Sequence, residues 1–289
     1  MYKKILLPLD GSTLAEQILP YARVFAETYG IPVTLLRVSD PEAMSVYGHR
    51  IQGAEYLKKV SARYLPASIP VEHVVELGKP AEIIVELAKA EPACLIAMAT
   101  HGLSGIQRWL LGSVANKVVH GAANPMLLIR PGEDQDPATP VQLKTVFVPL
   151  DGSGLAEQIL PHVRALARKL RLEVQLVRVF GVPGDAYLVS EGVYITPLAD
   201  RRGEIQKEAE IYLQGKYEEL RAEGLERVIT TTIEGDPAGE IIDLARKTAN
   251  NLVAMSTHGR SGVGRWLMGS VAEKVIQHCK DPVLMIRPE

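Results

Sequence analysis

Short apolar runs alternate with amphipathic stretches along the whole chain. Lys4–Leu9 (KILLPL) is apolar and ends in Asp-Gly, the signature of a buried parallel strand. Leu14, Ile18, Leu19, Ala22, Phe25 and Ala26 then recur at helical spacing, predicting a helix over Leu14–Tyr29, with Thr13 and Glu16 fitting a capping box. Val33–Val38 predicts a second strand, Ala54–Leu65 a second helix and Val71–Glu76 a third strand. Gly78-Lys79-Pro80-Ala81 opens a further helix with proline in its first turn. The strands Cys94–Ala99 and Met126–Ile129 follow, separated by a glycine-rich loop and a helix from about Ser113 to His120. Strands alternating with helices of this length predict an α/β fold, a parallel sheet with helices on both faces.

The pattern then runs a second time, ending in Val283–Ile286. Pro8–Pro20 (PLDGSTLAEQILP) and Pro149–Pro161 (PLDGSGLAEQILP) match at 12 of 13 positions. Thr100–Val118 (THGLSGIQRWLLGSVANKV) and Thr257–Val275 (THGRSGVGRWLMGSVAEKV) match at 14 of 19. Arg130–Pro140 (RPGEDQDPATP) has three prolines and three acids and reads as a solvated linker. The expected organisation is a domain over residues 1–132, a linker over 133–141 and a second domain over 142–289. The repeat offset grows from 141 at Asp10/Asp151 to 157 at Gly78/Gly235, so the second copy carries about 16 extra residues. These are expected in Gly181–Gly203, as a surface insertion or a flap over a neighbouring pocket. In the second copy Asp236 is expected as a helix N-cap.

Composition narrows the function. The chain has 289 residues, 47% hydrophobic and 23% charged, with net charge −2 and 5% aromatics. Nothing in that balance points to a nucleic-acid or anionic-membrane surface. No stretch reaches the roughly 18–20 apolar residues of a membrane helix. Only three apolar residues lie between Lys4 and Pro8, too few for a secretory leader, so a cytoplasmic protein is expected. Cys94 and Cys279 occupy non-equivalent places and are expected as reduced, buried thiols. No Cys/His cluster has zinc spacing.

The duplicated polar runs carry the candidate chemistry. In an open parallel sheet, ligands bind beyond the carboxyl ends of the strands. The first strand ends in Leu9-Asp10-Gly11-Ser12 and the fourth in Ala99-Thr100-His101-Gly102. Gly102 and Gly105 permit close backbone approach, and Gly112-Ser113 opens a helix whose free N–H groups favour an anion. Arg108 and Arg265 are placed to pair with phosphate oxygens, and Ser113 and Ser270 to donate hydroxyls. Asp10 and Asp151 are candidates for ribose or adenine hydrogen bonds, for a water-held metal, or simply for a turn. His101 and His258 either meet phosphate or close the loop. Trp109 and Trp266 are expected to pack rather than to stack on a base. There is no Walker A motif, no G-x-G-x-x-G after the first strand and no G-x-S-x-G.

In these residues the chain resembles the universal stress protein family, over nearly its whole length, as two tandem copies. The family's nucleotide motif is G-x-x-G, nine residues, then G-[ST]. Gly102 with Gly112-Ser113, and Gly259 with Gly269-Ser270, keep that spacing, while Ala99 and Ser256 replace the first glycine. The resemblance implies two Rossmann-like domains, each an open five-stranded parallel sheet in the order 3-2-1-4-5. It implies an adenine nucleotide, ATP with or without Mg²⁺, in one or both domains. Pro8, Asp10 and the main chain of Val38 would lie near adenosine, and Gly102, Gly112, Ser113 and Val114 near the phosphates. The corresponding set is Pro149, Asp151, Val179, Gly259, Gly269, Ser270 and Val271. It further implies fifth-strand pairing of Met126–Ile129 with Val283–Ile286, within one chain or in a homodimer of tandem chains. The role implied is a nucleotide-dependent stress regulator with an unidentified protein partner, at most a slow ATPase. A nucleotide-free interaction protein is the alternative. A transferase or ligase is disfavoured, because Ser-Gly-Gly-x-Asp-Ser is missing after the first strand.

Overall fold

The computed structural model describes residues 1–39, 46–102, 111–132, 136–181, 188–190, 193–195, 201–259 and 268–288. In the first half, strands β1 (Lys4–Pro8), β2 (Val33–Ser39), β3 (Val71–Leu77), β4 (Cys94–Ala99) and β5 (Met126–Ile129) alternate with helices. These are α1 (Thr13–Glu16), α2 (Leu19–Tyr29), α3 (Val46–Tyr64), α4 (Pro80–Ala90) and α5 (Ser113–Gly121). The second half repeats the series with β6 (Thr145–Pro149), α6 (Gly154–Glu157), α7 (Leu160–Leu170) and β7 (Glu173–Phe180). A two-stranded antiparallel hairpin, β8 (Leu188–Ser190) and β9 (Val193–Ile195), lies in the expected insertion. Then follow α8 (Arg202–Ala222), β10 (Val228–Glu234), α9 (Pro237–Lys247), β11 (Asn251–Ser256), α10 (Ser270–His278) and β12 (Val283–Ile286). The rest of the insertion, and with it the flap reading, lies outside the described residues.

Ten strands form one sheet, in the order β10-β7-β6-β11-β12-β5-β4-β1-β2-β3. Each half is therefore a five-stranded parallel sheet in the order 3-2-1-4-5. The halves meet in an antiparallel pairing of their fifth strands, Val283 opposite Leu128 and Met285 opposite Met126. Both strands are wholly buried, so the pairing hides two apolar edges that would otherwise template aggregation.

Side chains alternate between two core layers. Ile5, Leu7 and Leu95 pack with Phe25 of α2 and Leu57 of α3, while Leu6, Ile96 and Met98 face Ile84 of α4 and Val118 of α5. Each layer runs through both halves. Two arginines fasten the seam reciprocally. Arg130, after β5, donates to the Gln277 carbonyl of α10 at 2.6 Å. Arg287, after β12, donates to the His120 and Ala122 carbonyls at the end of α5, both at 3.3 Å. Tyr2 also bonds His162 Nδ1 across the halves at 2.9 Å, where burial holds the imidazole below its ordinary pKa.

Three sequence expectations need correction. The helix expected over Leu14–Tyr29 is two helices, because Pro20 has no N–H to continue the ladder across Gln17–Ile18. Its cap is Ser12, whose Oγ accepts from Ala15 N at 3.1 Å, and not a Thr13–Glu16 box. Glu16 instead accepts from the Tyr56 and Tyr64 hydroxyls. The helix expected from Ala54 begins a full two turns earlier, at Val46. Asp236 does cap α9, accepting from Gly239 N at 3.0 Å.

Candidate functional site

The turn after β1 is built by its own sequence. Gly11 sits at φ +87°, a left-handed conformation that glycine adopts without strain. The chain then folds back so that Asp10 Oδ1 accepts from Ser12 N at 2.9 Å and from Ser12 Oγ at 2.6 Å. The second copy is the same: Asp151 Oδ1 takes Ser153 N at 2.9 Å and Ser153 Oγ at 2.6 Å, and Ser153 caps α6. One carboxylate oxygen thus organises the turn. The other, Oδ2, faces the loop after the fourth strand. A Cβ on Gly102 would fall 1.8 Å from Asp10 Oδ2, and one on Gly259 2.0 Å from Asp151 Oδ2. Glycine is there because the carboxylate fills the place of a side chain.

After β4, Gly112 returns to the strand end and donates to the Thr100 carbonyl at 2.9 Å. A Cβ on Gly112 would meet that carbonyl oxygen at 2.8 Å, and one on Gly269 would meet Thr257 O at 3.0 Å. Among the described residues no side chain caps α5 or α10. Their first internal bonds are Asn116 N to Gly112 O and Glu273 N to Gly269 O. The amides of Ser113, Val114 and Ala115, and of Ser270, Val271 and Ala272, are therefore outside the helical ladder, at the positive end of each dipole.

Both turns border one crevice in each half. Pro8, Asp10, Val38, Ala99, His101, Gly102, Gly112, Ser113 and Val114 line a cavity of about 120 Å³. Pro149, Asp151, Val179, Ser256, His258, Gly259, Gly269, Ser270 and Val271 line one of about 260 Å³. Every expected site residue within the described chain is thus brought together; Gly105, Arg108, Trp109, Arg265 and Trp266 lie outside it. Sequence reasoning missed the apolar walls, Leu36, Ile84 and Met98 in the first crevice and Val177, Ile241 and Met255 in the second. The wall on β2 reaches past the last residue of β1, at Pro8, which leaves the Val38 main chain beyond the end of its neighbour.

Polar groups differ in how far they are satisfied. His101 Nδ1 bonds Thr100 Oγ1 at 3.0 Å, and His258 Nδ1 bonds Thr257 Oγ1 at 2.9 Å. His258 Nε2 is buried and, among the described residues, has no hydrogen-bond partner. Burial, and then the charge of Arg287, hold the His258 imidazole below its ordinary pKa. Ser256 donates its hydroxyl to the Ala156 carbonyl at 3.3 Å.

A second duplicated group braces the turn from behind. Arg37 Nη1 donates to the Leu9 carbonyl at 3.3 Å, its guanidinium lies 5.8 Å from the Tyr56 ring centre, and Tyr56 bonds Glu16. The buried Arg178 lies 4.8 Å from the Tyr212 ring centre, and Tyr212 bonds Glu157 at 2.8 Å. An arginine inside an apolar strand, repeated in VTLLRV and VQLVRV, was the signal that marked this group.

Chemically, each crevice offers amides and a hydroxyl for an anion, an apolar slot for a flat group, and one carboxylate between them. That set fits a phosphorylated ligand. Among the described residues no three His, Cys, Asp or Glu side chains are grouped to hold a metal of their own. A single carboxylate suits a divalent cation that arrives on phosphate oxygens.

Comparison with known proteins agrees with this architecture. The universal stress protein family profile matches residues 1–130 and again 142–287. A universal stress protein of Mycolicibacterium smegmatis is 24% identical over 298 residues, spanning 98% of this chain and 97% of that one. One from Methanocaldococcus jannaschii is 31% identical over 144 residues, 50% of this chain and 82% of its own length. A solved universal stress protein from Archaeoglobus fulgidus shares the fold with a TM-score of 0.70 at 22% identity, covering 99% of this chain and 96% of that one. With two matched segments and a crevice of one design in each, this chain belongs to the universal stress protein family as a tandem pair.

Proposed function

We propose that this chain binds an adenine nucleotide, ATP with or without Mg²⁺, and acts in the cytoplasm as a nucleotide-dependent stress-response regulator. The observation that supports this most is the meeting, in one apolar crevice, of orphan helix amides and a carboxylate against a glycine with no room for a side chain. The phosphates sit on the amides of Ser270–Ala272, and the base enters the slot beside Val179. The Asp151 carboxylate is tied to Ser153, which suits holding a ribose better than abstracting a proton, so turnover is slow at most. Intrachain pairing of the fifth strands leaves a dimer of tandem chains to form through another surface.

The test begins with denaturing the purified protein and analysing released nucleotide, then following thermal unfolding with added ATP and Mg²⁺. Bound ligand raises the transition by mass action. Replacing Gly112 or Gly269 is a poor control, because a Cβ there strikes backbone. Ser113→Glu with Ser270→Glu is better. Both serines are exposed at the first helical position, where a carboxylate suits the dipole but repels phosphate. The reading fails if no nucleotide is released and ATP leaves the transition of the unmodified protein in place. That result would favour the nucleotide-free interaction protein, a reading motivated by Ala99 and Ser256 at the first motif glycine.

A further inference from the structure

Among the described residues, seventeen line each crevice, and they correspond position by position. Fifteen of these pairs are identical. The two exceptions are Leu36 against Val177 and Ala99 against Ser256. The second cavity is nevertheless about twice the first, about 260 Å³ against about 120 Å³. Ser256 is bulkier than Ala99, so that exchange acts against the observed order. Leu36 has the right sign. It carries one methylene more than Val177, at the same place on the second strand, on the same face as the wall residue two positions on. Both side chains are buried in the layer with Ile84 or Ile241, so the extra methylene has no outlet to solvent and thickens the crevice wall.

A separate observation favours the same half. His258 borders the larger cavity, and its Nε2 is buried without a partner among the described residues. His101, its counterpart, is not among such orphans. A buried polar atom left unsatisfied is costly, and a ligand group in the crevice would supply the missing bond.

We propose that the chain carries one working nucleotide site, in the second half, and that the residue at positions 36 and 177 decides which crevice opens. The inference rests on the nucleotide reading above and adds stoichiometry, location and a specificity residue. The first crevice keeps the polar machinery behind a wall one methylene too thick.

The full chain is titrated with ATP and Mg²⁺ by calorimetry and examined by native mass spectrometry. The expected result is one ATP per chain, with the His258 ring proton resonances moving on binding and those of His101 staying in place. Leu36→Val opens the second site and raises the count to two. Val177→Leu weakens the original site roughly tenfold or more, the usual effect of one methylene in an apolar pocket. Both exchanges are small, and unfolding curves without ligand verify the fold; were Val177→Leu unfolded, Leu36→Val alone would decide. Two equal sites in the unmodified chain, a count of one in Leu36→Val, or unchanged affinity in Val177→Leu overturns the proposal. Absence of any binding is a different outcome: it removes the nucleotide reading itself, and this inference with it.

Discussion

Gly259→Ala tests how the turn after β6 and the loop after β11 are fitted together. The added methyl would stand 2.0 Å from Asp151 Oδ2 and 2.9 Å from Cγ, whereas ordinary contact begins near 3.4 Å. The carboxylate must retreat by more than an ångström. Retreat breaks the 2.6 Å bond from Ser153 Oγ and the 2.9 Å bond from Ser153 N, and loosens the serine that caps α6. A charge-assisted hydrogen bond is worth about 1.5–3 kcal/mol and a cap about 1 kcal/mol, and they share one serine. The expected cost is therefore about 2–3 kcal/mol, or a fall of roughly 4–10 °C in Tm. Gly259 does not occupy the left-handed region, so backbone strain adds nothing. The decisive arm is Asp151→Ala, which removes the obstruction. In that background Gly259→Ala should cost less than about 0.5 kcal/mol, and reduced freedom of the unfolded chain can even make it stabilising. Chemical and thermal unfolding of the four proteins gives the coupling energy directly. Equal costs in both backgrounds would refute the claim that the glycine is there for the carboxylate.

Three further predictions concern Asp281, Arg287 and Gly112. Burial raises the Asp281 carboxyl from 3.8 to about 6, against the lowering effect of the Asn251 amide bond at 2.9 Å. The group binds its proton more tightly folded than unfolded, so the stability it contributes is complete below pH 3.8 and disappears as pH rises through about 6. Asp281→Asn, which copies Asn124 of the first half and supplies a donor near the unpaired Asn251 Oδ1, should flatten that pH dependence. Its gain at pH 7, after allowance for solvent screening, is on the order of 1–2 kcal/mol, and unchanged curves between pH 4 and 7 would contradict it. Arg287→Ala should cost about 1–2 kcal/mol by stripping the α5 carbonyls of their donor, and should shift His258 upward in an NMR titration. A stationary His258 would show that the two groups do not interact. Gly112→Val should lower Tm without any ligand present, since its Cβ meets Thr100 O at 2.8 Å; an unaltered transition would contradict that clash.

Much of this was legible in the residues, for identifiable reasons. The strands Cys94–Ala99, Met126–Ile129 and Val283–Ile286 stand where short apolar runs bounded by proline, glycine or polar residues place them. A central parallel strand is apolar on both faces, and few other local structures share that pattern. The two candidate crevices could be located because polar runs that cannot serve the core were written twice. What escaped depended on three-dimensional company. Serine and threonine are both good caps, and only the fold selects Ser12 over Thr13. Leu36 and Val177 look like interchangeable core residues until the cavity beside them is seen. Arg130 and Arg287 read as linker and tail charges, because their acceptors lie about 150 residues away in sequence, on the opposite half.

The crossed arginines and the shared edge have an evolutionary consequence. Where identical subunits pair, any substitution enters both partners at once, so neither can specialise alone. At the fifth-strand seam here, each lobe faces its covalent sibling rather than a copy of itself. One lobe is therefore free to drift while the other stays under selection, with the join between them protected throughout.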